Sequence, residues 1–363
     1  MNWLALSLCA IYSVLLLFCR KIWKGIPHVK LINYDLNERV TVLVPARNEE
    51  SNIHATLDCI LSNDYPKDLL QVIVIDDHSD DGTADVVNSV DGVELLKLDS
   101  DRQGKKNAIT HGVNNSSGDL IICTDADTKV SNHWVKMHVL SFREGNQLSF
   151  GPVEYIGKWS NMLNLELYSL VMFGAVYNAI GKTGMINGCN YSFSRAVFKE
   201  VNAFEGNLDI ASGDDEFLLR KVHALYPRKV KFLKAKEALV KTIPAETLRG
   251  LIHQRRRWAS KWRYHEDLAS KVSPIAVFFF YLIILLSLIQ SFWSGEWGAL
   301  FIALMIKMVS EYLFCSGYNS IVQDRVSLWG ILKLEIIYPF YAVFVGVTSN
   351  FGRYSWRGRK FKT

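Results

Sequence analysis

The residues best suited to chemistry are acidic side chains that directly follow apolar runs of the sequence. Asp125 and Asp127 come after the run at residues 120–123, which predicts a buried strand because it is short and β-branched. Ligands of open α/β sheets bind where such strands end, and carboxylates there can hold Mg²⁺ or Mn²⁺ together with a substrate diphosphate. The pair therefore indicates a metal–nucleotide site. The alternative is a turn with two solvated aspartates.

A second acidic pair, Asp76 and Asp77, follows the apolar run at residues 70–75. Strands and helices alternate from residue 40 onward, which predicts an α/β domain. The predicted strands are residues 40–44 (stopped by Pro45), 70–75, 93–98 and 120–123, and the predicted helices are residues 52–61 and 105–113. Strands this apolar are buried on both faces, so we expect a mostly parallel sheet covered by helices on both sides. Right-handed crossovers would then bring both acidic pairs to one edge.

The composition of the 363-residue chain favours a membrane protein. Hydrophobic residues make up 49%, and a mean hydropathy of +0.09 is high for a soluble protein. A net charge of +5 does not argue for nucleic acid. The six cysteines are scattered without metal-ligand spacing, which predicts buried free thiols in a reducing compartment.

The clearest membrane segments lie near the two ends of the chain. Residues 3–19 are apolar and precede Arg20, Lys21 and Lys24. Since a signal peptide carries its positive charge before the apolar run, we expect a retained anchor with its basic end in the cytoplasm. Residues 275–293 carry no charge over a length that spans a bilayer.

Two further apolar segments contain charges. Residues 297–314 include Lys307 and Glu311, whose spacing of four lets them pair on one helix face, and residues 329–347 include Lys333, Glu335 and Pro339. If all four apolar segments crossed the membrane, the basic tail would lie outside the cell, against the tendency of Lys and Arg to remain on the cytoplasmic side. We therefore expect one of these two to be interfacial or re-entrant.

Other segments allow simpler expectations. Residues 159–177 are helical in composition and apolar all round, so they form a core helix or lie on the bilayer surface; we expect the surface. Residues 254–263 are basic and carry Trp258 and Trp262 one helical turn apart. Of the nine histidines, five have no metal-ligand spacing and are expected to be surface or cap residues. They are His78, His111, His133, His138 and His253.

Six short motifs follow one another between residues 40 and 258. They are Val44-Pro45-Ala46-Arg47-Asn48-Glu49-Glu50, Ile75-Asp76-Asp77-His78-Ser79-Asp80-Asp81-Gly82-Thr83, Gly104-Lys105-Lys106-Asn107-Ala108, Thr124-Asp125-Ala126-Asp127, Gly213-Asp214-Asp215 and Gln254-Arg255-Arg256-Arg257-Trp258. In this order the chain resembles the membrane-bound family-2 glycosyltransferases, the group of cellulose, chitin and hyaluronan synthases and ceramide glucosyltransferases. The resemblance implies a Rossmann-like GT-A fold, a nucleotide-diphosphate sugar donor and inversion of the anomeric centre.

The resemblance also implies which residues bind the donor. Asp127 would be a metal ligand, and Asp125 would contact the nucleotide or the metal. Asp77 would accept the N–H of the base, which we expect to be uracil, and Lys105 is placed to meet a phosphate. The residues that would surround the nucleoside are Pro45, Ala46 and Glu49. The alternatives are turn and cap chemistry for the aspartates and a solvated helix residue for Lys105.

On the acceptor side, the resemblance implies that Asp215 is the general base, although Asp214 or Glu216 could be confused with it. The alternative is that this acidic trio only favours the start of a helix through its dipole. Gln254, Arg257 and Trp258 match the Q-x-x-R-W motif. Trp258 would then stack on the acceptor sugar while Arg257 and Gln254 reach the diphosphate. A basic helix lying on anionic lipid would also explain this segment.

Together these features predict an inverting, metal-dependent glycosyltransferase that moves a sugar from a nucleotide donor to a lipid or glycan hydroxyl. We expect a membrane anchor at residues 1–22, a cytoplasmic GT-A domain at 38–240, interfacial helices at 241–270, two or three membrane helices at 271–350 and a basic tail at 351–363. The expected location is a bacterial cell membrane. Few membrane helices favour limited transfer over a processive polysaccharide synthase. The other class considered is a non-catalytic scaffold or subunit of a glycan export complex, which intact acidic motifs disfavour.

Overall fold

The fold combines two β-sheets, a β-hairpin and twelve helices in the described residues. The computed structural model describes residues 1–32, 34–208, 210, 213–245, 247–260, 268–349, 353–356 and 359–362. The strands are β1 (Val40–Ala46), β2 (Leu70–Asp76), β3 (Glu94–Lys97), β4 (Leu120–Cys123), β5 (Thr128–Val130), β6 (Leu148–Phe150), β7 (Val153–Tyr155), β8 (Tyr191–Ser194), β9 (Val230–Phe232), β10 (Val240–Thr242), β11 (Arg353–Trp356) and β12 (Arg359–Lys362). The helices are α1 (Asn2–Gly25), α2 (Ile53–Leu61), α3 (Thr83–Asn88), α4 (Lys105–Asn114), α5 (Trp134–Arg143), α6 (Ser160–Ala179), α7 (Arg195–Glu200), α8 (Asp214–Leu225), α9 (Leu248–Ser260), α10 (Leu268–Ser294), α11 (Gly298–Cys315) and α12 (Leu328–Thr348).

The central sheet has seven strands in the order β3-β2-β1-β4-β8-β6-β9. The first four are parallel to one another, β8 runs antiparallel to β4 and β6, and β9 is parallel to β6. β1 and β4 are almost wholly buried, as expected for strands covered on both faces. The predicted α/β class with a mostly parallel sheet is therefore confirmed.

The first strand continues through Pro45, which the sequence analysis took as its stop. The Ala46 carbonyl accepts a hydrogen bond from Asp77 N on the β2 side. Because backbone groups alternate along a strand, the missing N–H of Pro45 faces β4, and pairing with β4 already ends at Leu43. The next ladder bond to β4 would need that N–H, so the proline ends the pairing with β4, while the pairing with β2 continues to Ala46.

The second sheet places its strands in the order β5-β10-β7 and sits beside the end of β4. β10 runs antiparallel to β5, so that Thr242 lies opposite Thr128. It also pairs in parallel with β7, which brings Thr242 opposite Tyr155. This small sheet supports one wall of the site described below.

The helix that the sequence analysis expected on the bilayer surface, α6, is a core helix. More than half of its residues are buried, and they lie all around the helix. It contacts β7 on one side and α1, α11 and α12 on the other. A helix that is apolar on every face is stable only when it is enclosed in this way. The surface prediction was therefore wrong.

His138 is likewise not a surface residue. Its side chain is fully buried, with Nδ1 2.8 Å from Ser192 Oγ and Nε2 3.1 Å from Asn190 Oδ1. Burial lowers the pKa of His138 to about 4, so the ring is neutral and joins α5 to β8. The six cysteines are free, as predicted; four are buried, and Cys19 and Cys59 are half-buried.

Four of the helices in the described residues are long and apolar enough to cross a membrane by their length and composition. They are Asn2–Gly25, Lys271–Ser294, Gly298–Ser320 and Leu328–Thr348. The Lys307 ammonium lies 2.7 Å from the carboxylates of both Glu311 and Glu335. Three of the charges in these two segments therefore face each other instead of lipid, whereas Lys333 is exposed. The interfacial or re-entrant arrangement of one segment stays a prediction.

A close contact at Gly118 gives a first prediction, on stability. A Cβ at this buried residue would lie 2.5 Å from Thr41 N and 2.7 Å from Val40 C. Since these are backbone atoms of β1, we expect Gly118→Ala to lower the free energy of unfolding by about 1–3 kcal/mol. Thermal unfolding in detergent would measure the loss. Gly25→Ala is the control, because a Cβ there meets nothing within 4 Å; equal melting temperatures would contradict the account.

Candidate active site

A single cleft at the carboxyl ends of β1, β2 and β4 contains every residue that the motifs single out for chemistry. Its cavity volume is about 220 Å³. The predicted residues that line it are Pro45, Ala46, Glu49, Asp77, Lys105, Asp125, Asp127, Asp215, Gln254, Arg257 and Trp258. They come from six separate parts of the chain, so their convergence is a property of the fold. Their individual roles stay predictions.

Asp77 is buried at one end of the cleft, directly after β2. One carboxylate oxygen accepts a hydrogen bond of 2.9 Å from Gly104 N, and the other lies 3.2 Å from His78 Nδ1. Arg47 donates to the backbone carbonyls of Asp77 and His78, at 2.6 and 2.8 Å. These hydrogen bonds fix the loop on both sides, so the Asp77 carboxylate keeps one orientation in the cleft.

The loop that carries Asp125 and Asp127 is held by threonines. Thr56 Oγ1 donates to the carbonyls of Ala126 and Thr128, at 2.8 and 2.9 Å. Thr128 Oγ1 donates 2.8 Å to the carbonyl of Asp125. These hydrogen bonds fix the backbone between the two aspartates, so that both carboxylates are presented to the same cleft.

Lys105 joins the two acidic motifs. Its ammonium lies 2.7 Å from Asp125 Oδ1 and 3.1 Å from Asp214 Oδ2, and it donates 2.8 Å to the carbonyl of Gly188. Burial would lower the pKa of Lys105, but the two carboxylates raise it well above its usual value, so the group stays charged. In this structure Lys105 organises carboxylates; contact with a phosphate stays a prediction.

The carboxylates of Asp125 and Asp127 suit a divalent metal that takes its remaining ligands from water and substrate. Asp125 is 40% exposed toward the cleft, and Asp127 Oδ1 lies 3.4 Å from Thr242 Oγ1. Among the described residues no group of three or more His, Cys, Asp or Glu side chains could hold a metal ion by itself. Mg²⁺ and Mn²⁺ commonly take one or two carboxylates and draw the remaining ligands from water and substrate phosphates. The donor set is compatible with that mode.

The acidic trio forms the first turn of α8, after Gly213 in the left-handed region (φ 83°). Asp214, Asp215 and Glu216 are all buried, and Asp214 and Asp215 line the cleft. Glu216 pairs with Arg220 one turn later, 3.0 Å away. Stabilisation of the helix start and presentation of a carboxylate to the cleft therefore occur in the same turn.

The wall opposite Asp77 comes from α9. Gln254, Arg257 and Trp258 face the cleft from this helix. The rest of the predicted basic segment, Lys261, Trp262 and Arg263, lies outside the described residues, as does Arg357 of the tail. Amphipathic placement of α9 on lipid stays a prediction.

Sequence reasoning missed part of the lining. Tyr155 and Thr242 come from the small sheet, and an apolar wall comes from α6 and the segment after it. The missed residues include Leu167, Leu170, Val171, Met185 and Ile186. The polar residues Asn187 and Gly188 also line the cleft. A turn signal alone does not say which cleft it borders.

Gly188 gives the second prediction. A Cβ there would lie 2.9 Å from Lys105 Nζ, 3.2 Å from Asp214 Oδ2 and 3.3 Å from Asp215 Oδ2. We expect Gly188→Ala to displace this charge cluster and to lower turnover about tenfold or more, because small displacements of positioned groups are costly. Steady-state rates of variant and wild type would measure the effect, with Gly298→Ala as control because a Cβ there meets nothing within 4 Å. Unchanged turnover in Gly188→Ala would contradict a catalytic role for the cluster.

Comparisons with known proteins agree with this geometry. Residues 41–201 match the family described as Glycosyl transferase family 2. A probable glycosyltransferase, YdaM of Bacillus subtilis, is 29% identical over 244 residues, which are 62% of this chain and 56% of YdaM. The poly-beta-1,6-N-acetyl-D-glucosamine synthase of Staphylococcus aureus is 26% identical over 260 residues, 68% of this chain and 60% of the synthase. This chain thus spans less than two thirds of these relatives.

Among solved structures, a mannosyltransferase of Pyrobaculum calidifontis, PcManGT, crystallised with GDP-Man and Mn²⁺, superposes with a TM-score of 0.57 at 16% identity. The match covers 96% of this chain and 99% of that one. At this identity the likeness concerns the fold alone. The resemblance is confirmed for residues 41–201, which form a glycosyltransferase family 2 domain, and the described residues have a GT-A-like α/β fold.

Proposed function

We propose that this protein is an inverting, metal-dependent glycosyltransferase that uses a nucleotide-diphosphate sugar, most simply a UDP-sugar, and glycosylates an acceptor hydroxyl at a membrane. The observation that carries the proposal is the convergence of Asp77, Asp125, Asp127 and Asp215 on one cleft. These carboxylates come from three parts of the chain and would serve different needs of one reaction: base recognition, charge neutralisation and proton removal.

The proposed reaction is a single displacement. Asp215 takes the proton of the acceptor hydroxyl, whose oxygen attacks the anomeric carbon of the donor sugar. The bond from that carbon to the diphosphate oxygen breaks, and the nucleoside diphosphate leaves with the electron pair. One displacement inverts the anomeric centre. Arg257 and Gln254 are assigned to the diphosphate, and Trp258 to stacking against the acceptor.

Asp125 and Asp127 would hold Mg²⁺ or Mn²⁺, which supplies Lewis-acid stabilisation of the leaving diphosphate. The likeness to a mannosyltransferase crystallised with Mn²⁺ supports this choice of ion. Lys105 would then keep Asp125 and Asp214 in place, because one buried cation between two carboxylates offsets their mutual repulsion.

We propose a lipid acceptor, because part of the cleft lining is aliphatic. Leu167, Leu170, Val171, Met185 and Ile186 line it next to the acidic groups. Carbohydrates alone need polar partners, whereas an aliphatic wall accommodates an acyl or prenyl chain. The helix α6 that supplies three of these residues also packs against three of the helices long enough to span a membrane.

The proposed location is the membrane of a bacterial cell, with residues 38–240 in the cytoplasm and helices at both ends in the bilayer. Basic residues after the first apolar run and the cytoplasmic supply of nucleotide sugars support this orientation. The bacterial relatives support the cell type.

The test uses the full chain in lipid nanodiscs with a panel of radiolabelled UDP- and GDP-sugars, Mn²⁺ and total bacterial lipid. Transfer of label to an organic-soluble product is expected with one donor. Absence of transfer from every donor, with or without lipid, would contradict the proposed function. Mass spectrometry of the product would identify the acceptor.

A processive polysaccharide synthase is the second candidate, favoured by the likeness to the Staphylococcus aureus synthase. Product length separates the two. A labelled product of one or two sugars supports limited transfer, and a polymer supports processive synthesis.

A further inference from the structure

Arg255 lies between two cleft residues but has its own side chain inside the protein. It is 4% exposed, whereas its neighbour Gln254 and the following Trp258 line the cleft. In the motif Q-x-x-R-W this residue occupies a variable position, so the motif assigns it no role. Its contacts show what the side chain does.

The guanidinium of Arg255 touches both neighbours that face the cleft. Its NH1 donates 3.0 Å to Gln254 Oε1, and its Cζ lies 4.3 Å from the centre of the Trp258 ring. The hydrogen bond limits the rotation of the Gln254 amide. A cation over an indole face is attracted to it, more strongly when water is excluded. One buried group thus fixes two side chains assigned to substrate.

Arg255 is itself held by Glu166 of α6. Glu166 Oε2 accepts hydrogen bonds of 2.9 Å from Arg255 Nε and 2.6 Å from Arg255 NH2, and its Oε1 lies 3.3 Å from the Tyr338 hydroxyl of α12. The planar guanidinium donates two hydrogen bonds to one carboxylate oxygen of Glu166 and stacks on the Trp258 ring. Together these contacts leave it one allowed orientation. The chain of contacts therefore runs from a helix long enough to span a membrane to the cleft.

We propose that Arg255 is a positioning residue, oriented by Glu166, that holds Gln254 and Trp258 in the conformation that receives substrate. The proposal rests on the proposed function for its kinetic consequences. Lysine at residue 255 would keep the charge but lose the paired hydrogen bonds to Glu166 and the planar group that stacks on Trp258. Glutamine at residue 166 would keep the shape and lose the charge.

The kinetic test compares Arg255→Lys and Glu166→Gln with wild type in nanodiscs. If Trp258 meets the acceptor and Gln254 the donor diphosphate, both variants should lower kcat/KM for the acceptor about tenfold and should also raise the KM of the donor nucleotide. In a Trp258→Ala background the additional loss in kcat/KM for the acceptor from Arg255→Lys should be much smaller, since the two residues then act as one unit. Full additivity, or a kcat/KM for the acceptor equal to that of wild type, would overturn the proposal.

A matched control is available on α5. Arg143 also pairs with a glutamate, Glu38, and also lies over an aromatic ring, with its Cζ 4.3 Å from the centre of Tyr34, but none of the three lines the cleft. Arg143→Lys should leave both kinetic constants unchanged; an equal effect there would contradict a specific role for Arg255.

A second measurement separates this inference from the proposed function. If wild type transfers no sugar, the function fails, but hydrogen–deuterium exchange still tests the contacts. Peptides of α9 should exchange faster in Arg255→Lys and Glu166→Gln than in Arg143→Lys. Equal exchange in all three variants would overturn the positioning role.

Discussion

Asp215→Asn is expected to abolish sugar transfer, lowering kcat by about 10²–10⁴-fold, the usual contribution of a general base. Asparagine keeps the shape of the side chain and its place in the first turn of α8, but it does not take a proton. Asp215 is buried and lines the cleft beside Asp214 and Lys105. Radiolabel transfer by purified variant and wild type measures the loss, and membrane insertion and melting temperature should be unchanged.

Asp214→Asn is the informative comparison. Asp214 Oδ2 lies 3.1 Å from the Lys105 ammonium. We therefore expect loss of the Asp214 charge to disturb the charge cluster and to lower activity less than loss of the Asp215 charge does. An active Asp215→Asn together with an inactive Asp214→Asn would move the base to the neighbouring carboxylate. Full activity in both variants would remove the acidic trio from the reaction.

Asp127→Ala is expected to lower transfer about 10³-fold, since Lewis-acid stabilisation of a leaving diphosphate is worth several kcal/mol and each 1.36 kcal/mol is tenfold in rate. Asp127 comes from a loop fixed by Thr56 and Thr128, so the substitution should leave the backbone in place. Titration of activity with Mn²⁺ should show a much higher metal requirement in the variant.

The control for this substitution is Asp91→Ala, which removes an exposed carboxylate that does not line the cleft. EDTA should stop transfer by wild type, and added Mn²⁺ or Mg²⁺ should restore it. Wild-type transfer that persists in EDTA after dialysis would contradict metal dependence, and unchanged metal titration of Asp127→Ala would contradict its assignment as ligand.

The sheet and the acidic edge were predictable because each depends on local pattern and chain handedness. Apolar runs at residues 70–75 and 120–123 fall on β2 and β4, and parallel pairing through β1 necessarily brings the groups after them together. That Asp77 and Asp127 line one cleft follows from these two facts.

The errors arose where burial depends on distant partners. Hydrophobicity on every face of α6 is compatible with a membrane surface or a core, and only packing against both β7 and α12 decides between them. His138 has no sequence signal of burial; the hydroxyl of Ser192 and the amide of Asn190, which satisfy it, lie more than fifty residues away. Glu166 beneath Arg255 escaped prediction for the same reason.

The electrostatics of the site were partly predictable. The spacing of Lys307 and Glu311 correctly indicated a pair, but the second carboxylate, Glu335, comes from another helix. Lys105 was expected near phosphate, and its engagement with Asp125 and Asp214 depends on a turn at Gly188 that only the fold brings close.

The central claim, that one nucleotide and one cation bind where the aspartates converge, is tested most directly by an experimental structure of the protein with a nucleoside diphosphate and Mn²⁺. The account predicts Mn²⁺, located by its anomalous signal, in contact with Asp127 and the diphosphate, and the base against Asp77. Mn²⁺ or nucleotide bound outside this cleft would contradict it.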